Sequence, residues 1–262
     1  MNKSTYDKMQ VNLVDRIIIN PRVPKEDILT THKQEEIKLT QITQKLLYEE
    51  TIMTQQRDHH SQEKWVLKLD TSIMWEEVWD TVHNILSTNK VKSLIWQQIH
   101  LNFYTQYSYN KWHKKQDLCP LCQKNPENIY HIMLYCEYTN KLWGAIEPIL
   151  RELHPPVVTE EEKVFGIIRK PRTTGILLRN WVTFLLRYCI SQAERLAYHT
   201  QKKLPLEYVE RKLYYELGME VHIKYIQSKN DGKLENFDKI VTHSEFCKKR
   251  ENGEYTLRQL FT

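Results

Sequence analysis

The feature that most constrains this chain is the stretch CPLCQKNPENIYHIMLYC (119–136), which holds three of its five cysteines and one histidine. Two residues separate Cys119 from Cys122, the length of a tight turn that points both sulfurs at one ion. Three thiolates and one imidazole suit tetrahedral Zn²⁺. We therefore predict one zinc ion bound by Cys119, Cys122, His131 and Cys136. Because protein ligands fill all four positions, the metal is expected to be structural, with no position left for a reactive water.

The residues between the two halves of this ligand set predict a short helix. Asn125, Pro126 and Glu127 are typical of a helix start: a capping side chain, a proline in the first turn and an acid near the positive end. His131 and Cys136 are five positions apart, so on an ideal α-helix their side chains point about 140° away from each other. The helix must therefore end or deform before Cys136 if both residues bind one ion.

The composition is that of an ordinary soluble protein, since 27% of the residues are charged and 40% are hydrophobic. A net charge of +5 is mildly basic and compatible with a nucleic-acid partner. The N-terminal residues MNKSTYDKMQ lack the apolar core of a signal peptide, and Arg179, Asn180 and Arg187 interrupt the most apolar run. We therefore expect an intracellular protein, nuclear or cytoplasmic and not secreted, with no membrane partner. In that reducing environment clustered cysteines bind metal rather than form disulfides.

Most of the remaining chain shows the three- and four-residue spacing of apolar side chains that predicts helices, and strand-like alternation is scarce. The apolar stripes run through 75–86, 91–103, 138–150, 175–197, 206–221 and 237–241. Residues 175–197 are apolar on more than one side, which predicts a helix at the centre of a core, with Cys189 as a packing residue. We predict an all-α fold, an irregular helical assembly with one small Cys3His zinc-binding motif inserted between helices.

Breaks in the apolar pattern suggest how the chain is divided. They fall at NPRVPKED (20–27), HPPVVTEEEK (154–163) and KNDGKLEN (229–236). The predicted parts are an N-terminal helical linker segment (1–70), a helical zinc-binding domain (71–153) and a C-terminal helical region (164–262).

A longer pattern surrounds the cysteines. It comprises a tryptophan-containing helix, a turn, the paired cysteines, an acid four residues before the histidine, the last cysteine and a tryptophan seven residues beyond it. In this chain these elements are Trp79, the turn NFYTQYS, Cys119 and Cys122, Glu127, His131, Cys136 and Trp143. This pattern resembles the zinc-binding segment at the C-terminal end of LINE-type (non-LTR) retrotransposon reverse transcriptases. The resemblance extends over roughly residues 39 to 200.

The resemblance implies a nucleic-acid-binding module without catalysis. Polymerases of this family hold two metal ions with paired carboxylates in an aromatic-x-Asp-Asp turn, and the chain contains no Asp-Asp pair. Neither the fingers and palm regions nor the acid and histidine set of the family's endonuclease is found. We therefore expect a non-enzymatic fragment, or a truncated or domesticated copy, that grips RNA or DNA beside the reverse transcriptase domains of a parent element.

Basic and aromatic residues supply the candidate nucleic-acid contacts, because positive charge binds phosphates and rings stack on bases. The first cluster comprises Lys111, Trp112, His113, Lys114 and Lys115, and the second comprises Arg169, Lys170 and Arg172. A third cluster comprises Lys248, Lys249 and Arg250. A charge run is usually an ordinary solvated face, and each cluster alone is compatible with that interpretation as well.

Two other readings remain open on sequence grounds. The zinc motif could staple a helical scaffold that docks on protein without binding nucleic acid, or the chain could be a relic reading frame. Salt-dependent affinity for nucleic acid favours the binding module, whereas salt-insensitive binding to a polymerase domain favours the scaffold.

Overall fold

The computed structural model describes residues 29–32, 35–38, 60–102, 118–251 and 254–260. The chain forms two compact units, 1–59 and 60–262. In the second unit the described helices are α1 (His60–Leu69), α2 (Trp75–Asn84), α3 (Asn89–Ile99), α4 (Glu137–Leu153), α5 (Glu160–Phe165), α6 (Thr174–Thr200), α7 (Leu206–Asn230) and α8 (Leu234–Val241). A π-helical turn spans His131–Tyr135, and a 3-10 turn spans His243–Glu245. The predicted all-α class with an embedded Cys/His cluster is confirmed.

Two short antiparallel strand pairs complete the described structure. In the first unit β1 (Leu29–His32) pairs with β2 (Glu35–Lys38), and in the second unit β3 (Cys247–Lys249) pairs with β4 (Tyr255–Leu257). The first pair lies inside the segment 1–70, where we predicted a helical linker, and its backbone is extended instead. The β-branched Thr30, Thr31 and Ile37 favour this conformation locally. Within the predicted segment 1–70, residues 60–69 form α1, and residues 1–28, 33–34 and 39–59 lie outside the described residues.

Helix α6 forms the centre of the core, as its apolar sequence predicts. It packs against α3, α4, α7 and α8, and most of its side chains are buried on every side. The helix begins at a capped position, where the hydroxyl of Thr173 accepts a hydrogen bond from the N–H of Ile176. Cys189 is fully buried, which confirms it as a packing residue.

Three polar residues that interrupt the apolar run of α6 are buried and hydrogen-bonded. Arg179 donates two hydrogen bonds to the carboxylate of Glu162 on α5, at 2.5 and 2.6 Å, and others to carbonyls at the end of α4 and in the loop that follows. Asn180 bonds the main chain of the loop before α6. Arg187 donates to the Gln98 amide oxygen on α3, at 2.6 and 3.0 Å. These bonds give the buried polar groups hydrogen-bond partners and connect α6 to its neighbours.

A carboxylate on α7 caps the N-terminal end of α3. Glu220 is 2% exposed, and its Oε1 accepts hydrogen bonds from the N–H and the hydroxyl of Thr88, at 3.1 and 2.7 Å. Its Oε2 accepts from the hydroxyl of Ser87 at 2.5 Å and from the indole of Trp181 at 2.6 Å. The carboxylate therefore acts as a helix cap supplied from another element, with its negative charge facing the positive end of α3. This one group joins α3, α6 and α7.

The described helices on both sides of the break at 154–163 share one core. Helix α6 contacts α3 and α4, which precede the break, and α7 and α8, which follow α6. The predicted boundaries at 71–153 and 164–262 stay a prediction. In the part of the chain that the structure describes, no helix is long and apolar enough to cross a bilayer.

Glu220→Gln should lower the free energy of unfolding by about 1.5–3 kcal/mol, the range for hydrogen bonds to a charged group. The new amide would direct N–H donors at groups that themselves donate, so at least one buried donor loses its acceptor. Chemical denaturation at constant zinc measures the change. Asp231→Asn, the same kind of substitution at an exposed carboxylate after α7, is the matched control and should change stability by less than about 0.5 kcal/mol. Equal effects of the two substitutions would refute the capping role.

Candidate metal centre

The four predicted ligands converge on one point. Sγ of Cys119 lies 3.9 Å from Sγ of Cys136, and Sγ of Cys122 lies 3.3 Å from Nε2 of His131. All four ligand atoms lie within 4.8 Å of one another, and all four residues are buried. Around a tetrahedral zinc ion, bond lengths of about 2.3 Å to sulfur and about 2.0 Å to nitrogen give ligand separations of about 3.8 Å (S–S) and about 3.5 Å (S–N). The cluster therefore fits one structural zinc ion.

A tight turn positions the first two cysteines. The N–H of Gln123 donates to the carbonyl of Cys119 at 2.7 Å, and the N–H of Cys119 donates to the carbonyl of Asn125 at 2.8 Å. Gln123 closes the turn with a φ of +57°, in the left-handed region that favours glycine and asparagine. Leu118 and Pro126 form an isolated antiparallel bridge that brings the chain back on itself. The two sulfurs thus project from a closed loop.

The predicted helix start at 125–127 is wrong. Pro126 belongs to the bridge that closes the cysteine loop, and helical backbone begins at Ile129. Asn128 provides the cap instead, since its Oδ1 accepts a hydrogen bond from the N–H of His131 at 2.8 Å. Asn125 and Asn128 both have side chains that can cap a helix. Because Pro126 pairs with Leu118 across the loop, the helix begins after Asn128 and that residue is the cap.

The deformation required between His131 and Cys136 is a π-helical turn. The N–H of Cys136 donates to the carbonyl of His131 at 2.6 Å, a bond that spans five residues. The wider turn brings residues five apart closer to the same side, whereas an α-helix would point them about 140° from each other. Helical backbone ends at Cys136, which has φ −69° and ψ 123°. The prediction that the helix deforms before Cys136 is confirmed.

The last ligand is also the residue from which α4 begins. The N–H of Asn140 donates to the carbonyl of Cys136 at 2.9 Å, the first bond of the helix. The fully buried hydroxyl of Thr139 lies within hydrogen-bond distance of the carbonyls of Ile132 (2.9 Å) and Cys136 (3.1 Å). Since α4 packs on α6, these bonds connect the metal ligands to the centre of the core.

A hydrogen bond between Cys119 and Cys136 shifts the pKa values of the two residues in opposite directions. A hydrogen bond from the Cys119 thiol lowers the pKa of Cys136 to about 4, and the same bond raises the pKa of Cys119. Zinc binds cysteine as the thiolate, so a divalent cation at the centre would favour loss of the thiol protons.

A lysine-lined cleft of about 230 Å³ lies beside the centre. Its walls include Cys122, the lysines Lys124, Lys141 and Lys203, and Glu137. Glu137 forms ion pairs with Lys124 at 2.6 Å and with Lys141 at 3.5 Å. No sequence signal marks Lys141 and Lys203 as cleft residues, because they meet only where α4 and the connection between α6 and α7 pack beside the cysteine loop.

A buried carboxyl pair joins the zinc loop to α6. Glu127 is fully buried and Glu194 is 3% exposed. Burial, and then the neighbouring carboxyl of Glu127, raise the pKa of Glu194 to about 9, while Arg195 opposes the rise. The folded chain therefore holds a proton on this pair at neutral pH, which allows one carboxyl group to donate a hydrogen bond to the other.

The three basic clusters predicted to contact nucleic acid differ in exposure and in ion pairing. The first cluster, Lys111, Trp112, His113, Lys114 and Lys115, lies outside the described residues. In the second cluster Arg169 and Lys170 are exposed, whereas the side chain of Arg172 is only 17% exposed. Arg172 donates to Oδ2 of Asp80 on α2 at 2.6 Å, and Lys170 lies 3.9 Å from the same oxygen. In the third cluster Lys249 is paired with Asp238 at 2.5 Å, and Lys248 and Arg250 are exposed.

Comparison with known families supports the zinc assignment. Residues 44–143 match a family model described as zinc-binding in reverse transcriptase, and this range contains all four ligands. No polymerase domain is matched. No curated protein and no solved structure matches the chain.

Purified protein should contain one zinc ion per chain, and Cys136→Ser should remove it. Loss of a thiolate leaves three ligands and a hydroxyl that binds zinc poorly, so we expect affinity to fall by more than the roughly 10- to 100-fold typical of losing a supporting residue. Elemental analysis gives the metal content, and competition with a chromophoric chelator gives the affinity. Cys189→Ser changes a buried cysteine outside the cluster and should keep the full zinc content. Full zinc content in Cys136→Ser would exclude this ligand set.

Glu194→Gln should reduce the pH dependence of stability. The folded pKa of Glu194, about 9, lies above its ordinary value of 4.5, so the parent loses stability as pH rises through that window. The variant has no proton to lose, so its melting temperature relative to the parent should rise with pH. Thermal unfolding with excess zinc from about pH 5 to about pH 9 measures this. Glu235→Gln, at an exposed carboxylate, is the control, and a curve for Glu194→Gln parallel to the parent's would disprove the assignment.

Proposed function

We propose that this chain is a non-catalytic nucleic-acid-binding zinc module that corresponds to the C-terminal part of a LINE-type (non-LTR) retrotransposon reverse transcriptase. In this role it binds RNA or DNA beside the reverse transcriptase domains of a parent element. It has no polymerase or nuclease activity of its own. The match to the reverse-transcriptase zinc-binding family and the Cys3His cluster support the assignment of the module.

The observation that carries the nucleic-acid proposal is the placement of the second basic cluster. Asp80, on α2 in the matched segment, forms ion pairs with both Arg172 and Lys170. These pairs hold the loop before α6 against α2. Lys170 keeps 60% of its side chain exposed, and Arg169 is also exposed. The cluster therefore presents cations on a fixed loop, where phosphate binding would require little further ordering.

A specific observation also supports the alternative function, a zinc-stapled scaffold that docks on protein. Tyr215, Met219 and Ile226 are respectively 65%, 42% and 44% exposed on α7. Their spacing of four and seven residues places them along one side of the helix. Such an apolar strip suits a protein partner, and reverse transcriptase domains of a parent element are the candidate.

Replacing Arg169 and Lys170 together with Ala should weaken binding to all sequences alike. For duplex DNA the plot of log affinity against log salt should become shallower by up to about 1.8 units, since each phosphate contact contributes about −0.9. For single strands the change should reach about 1.4 units. The same titrations on a variant with Lys111, Lys114 and Lys115 replaced by Ala test the cluster outside the described residues.

A matched control separates specific contact from the loss of net charge. Lys229→Ala with Lys233→Ala removes two exposed lysines near the end of α7, and this double variant should keep the parental salt dependence. If the control lowers affinity as much as the change at Arg169 and Lys170, the cluster is not the contact surface. If the parent binds neither RNA nor DNA at low salt but captures a polymerase domain regardless of salt, the scaffold function replaces the proposal.

A further inference from the structure

An open groove lies between α2 and α3, away from the zinc ligands in sequence. Its volume is about 600 Å³, within the range of small-ligand sites, roughly 300–1,000 Å³. Trp79 and His83 line it from α2, and Lys92, Ser93 and Trp96 line it from α3. The lining therefore combines two indole rings with a cation and a hydroxyl.

The tryptophans of the groove belong to a row of aromatic rings in contact with one another, and one end of the row is exposed to solvent. Trp75 stacks on Trp79, with centroids 5.9 Å apart, and Trp79 lies parallel to the imidazole of His100 at 4.9 Å. His100 in turn contacts Trp96 at 4.1 Å. The inner end of the row packs on Phe165 in the core, whereas Trp96 is 48% exposed. An isolated exposed aromatic residue is ordinary, but here the exposed ring is fixed from behind and faces a groove.

Positive charge surrounds these rings. The Lys92 ammonium donates to the carbonyl of His83 at 2.7 Å, which places the cation between α2 and α3. Burial, and then the proximity of Lys224, lower the pKa of Lys92, so a second cation lies nearby. Asp80 also lines the groove, and Arg172 and Lys170 pair with it. An anion would therefore meet the positive charge of Lys92 and a carboxylate that already pairs with two cations.

We propose that this groove binds an unpaired nucleobase together with its phosphate. The base extends the ring row by stacking on Trp96, and Lys92 contacts the backbone. Stacking uses the face that every base possesses, so the site accepts any sequence but requires an unpaired strand. This inference rests on the proposed nucleic-acid function and deepens it, because it makes single-stranded RNA or DNA the preferred ligand at this position.

Trp96→Ala in the zinc-loaded full chain is the principal test. Oligothymidine and oligouridine should bind roughly 5- to 150-fold more weakly, the loss expected for one stacked base, about 1–3 kcal/mol. A mixed-sequence duplex of the same length should bind as it does to the parent. Trp96→Phe keeps a ring and should recover most of the affinity. Quenching of tryptophan fluorescence by oligothymidine should be reduced in both variants.

Further variants separate stacking from charge and from general loss of structure. Lys92→Ala should reduce the single-strand salt slope by about 0.7 while fluorescence quenching at saturation is preserved. Tyr214→Ala removes an aromatic ring of similar exposure from α7, 42% against 48% for Trp96, and should leave oligonucleotide binding unchanged. The melting temperature and zinc content of each variant show whether it remains folded.

The possible results separate the role of the groove as a stacking site from the nucleic-acid function on which it rests. If the parent binds single strands and Trp96→Ala binds them equally well, the groove is not the stacking site, whereas the nucleic-acid function stands. If Trp96→Ala weakens duplex and single strands alike, the ring is a general contact and base stacking is rejected. If the parent binds no nucleic acid, both proposals fail. If Trp96→Ala instead loses only the capture of a protein, the groove is a peptide site and the inference is overturned.

Discussion

Four ligand atoms from an eighteen-residue stretch, 119–136, must reach one metal ion, and the path of the backbone through this region follows from that requirement. The paired cysteines need a closed turn, which places Gln123 in the left-handed region. His131 and Cys136 lie five positions apart and would diverge on an α-helix, so the chain adopts a π-helical turn. Cys136 then sets the starting point of α4. The direction in which α4 leaves the metal centre is thus determined by coordination geometry as well as by its apolar face.

The metal centre is connected to the core through buried polar groups as well as apolar packing. Glu127 in the cysteine loop meets Glu194 on α6, and Thr139 bonds the carbonyls around the last ligand. Nearer the start of α6, Arg179 donates hydrogen bonds to Glu162 on α5, and Arg187 donates hydrogen bonds to Gln98 on α3. Each of these groups is costly to bury alone and is stabilised only when its partner is in place. The helices consequently hold defined positions relative to one another, which apolar burial alone specifies less strictly.

The parts of the structure that the sequence predicts are those governed by local spacing. The ligand set follows from the separations of four residues, and the long core helix α6 follows from an apolar pattern on more than one side. Where two local signals are equivalent, the sequence does not show which of them the structure uses. Asn125 and Asn128 are both good caps, and the selection of Asn128 depends on a bridge between Leu118 and Pro126 across the loop. The extended backbone of β1 and β2 likewise depends on pairing between two strands, which the sequence pattern of the N-terminal segment did not indicate.

Contacts between distant elements could not be predicted from one sequence. Glu220 lies more than a hundred positions after the helix that it caps, and nothing in the spacing of acids along α7 distinguishes it from the other glutamates of that helix. The ring row of Trp79, His100 and Trp96 is similar, because α2 and α3 must pack before the three rings meet. Lys92 becomes part of the same surface through its bond to His83. These features arise from tertiary packing, whereas the zinc motif is encoded locally.

The closed coordination of the metal and the open groove between α2 and α3 suggest a division of roles. A zinc ion with four protein ligands has no position for a substrate, so its contribution is to hold the cysteine loop and the start of α4. A binding surface must then come from elements that are rigid for other reasons. Helix α3 is rigid because Glu220 caps its start and Gln98 bonds Arg187 near its end. A ring such as Trp96 on this helix loses little conformational freedom when a ligand stacks on it, which is the condition for a single stacking contact to contribute usefully to affinity.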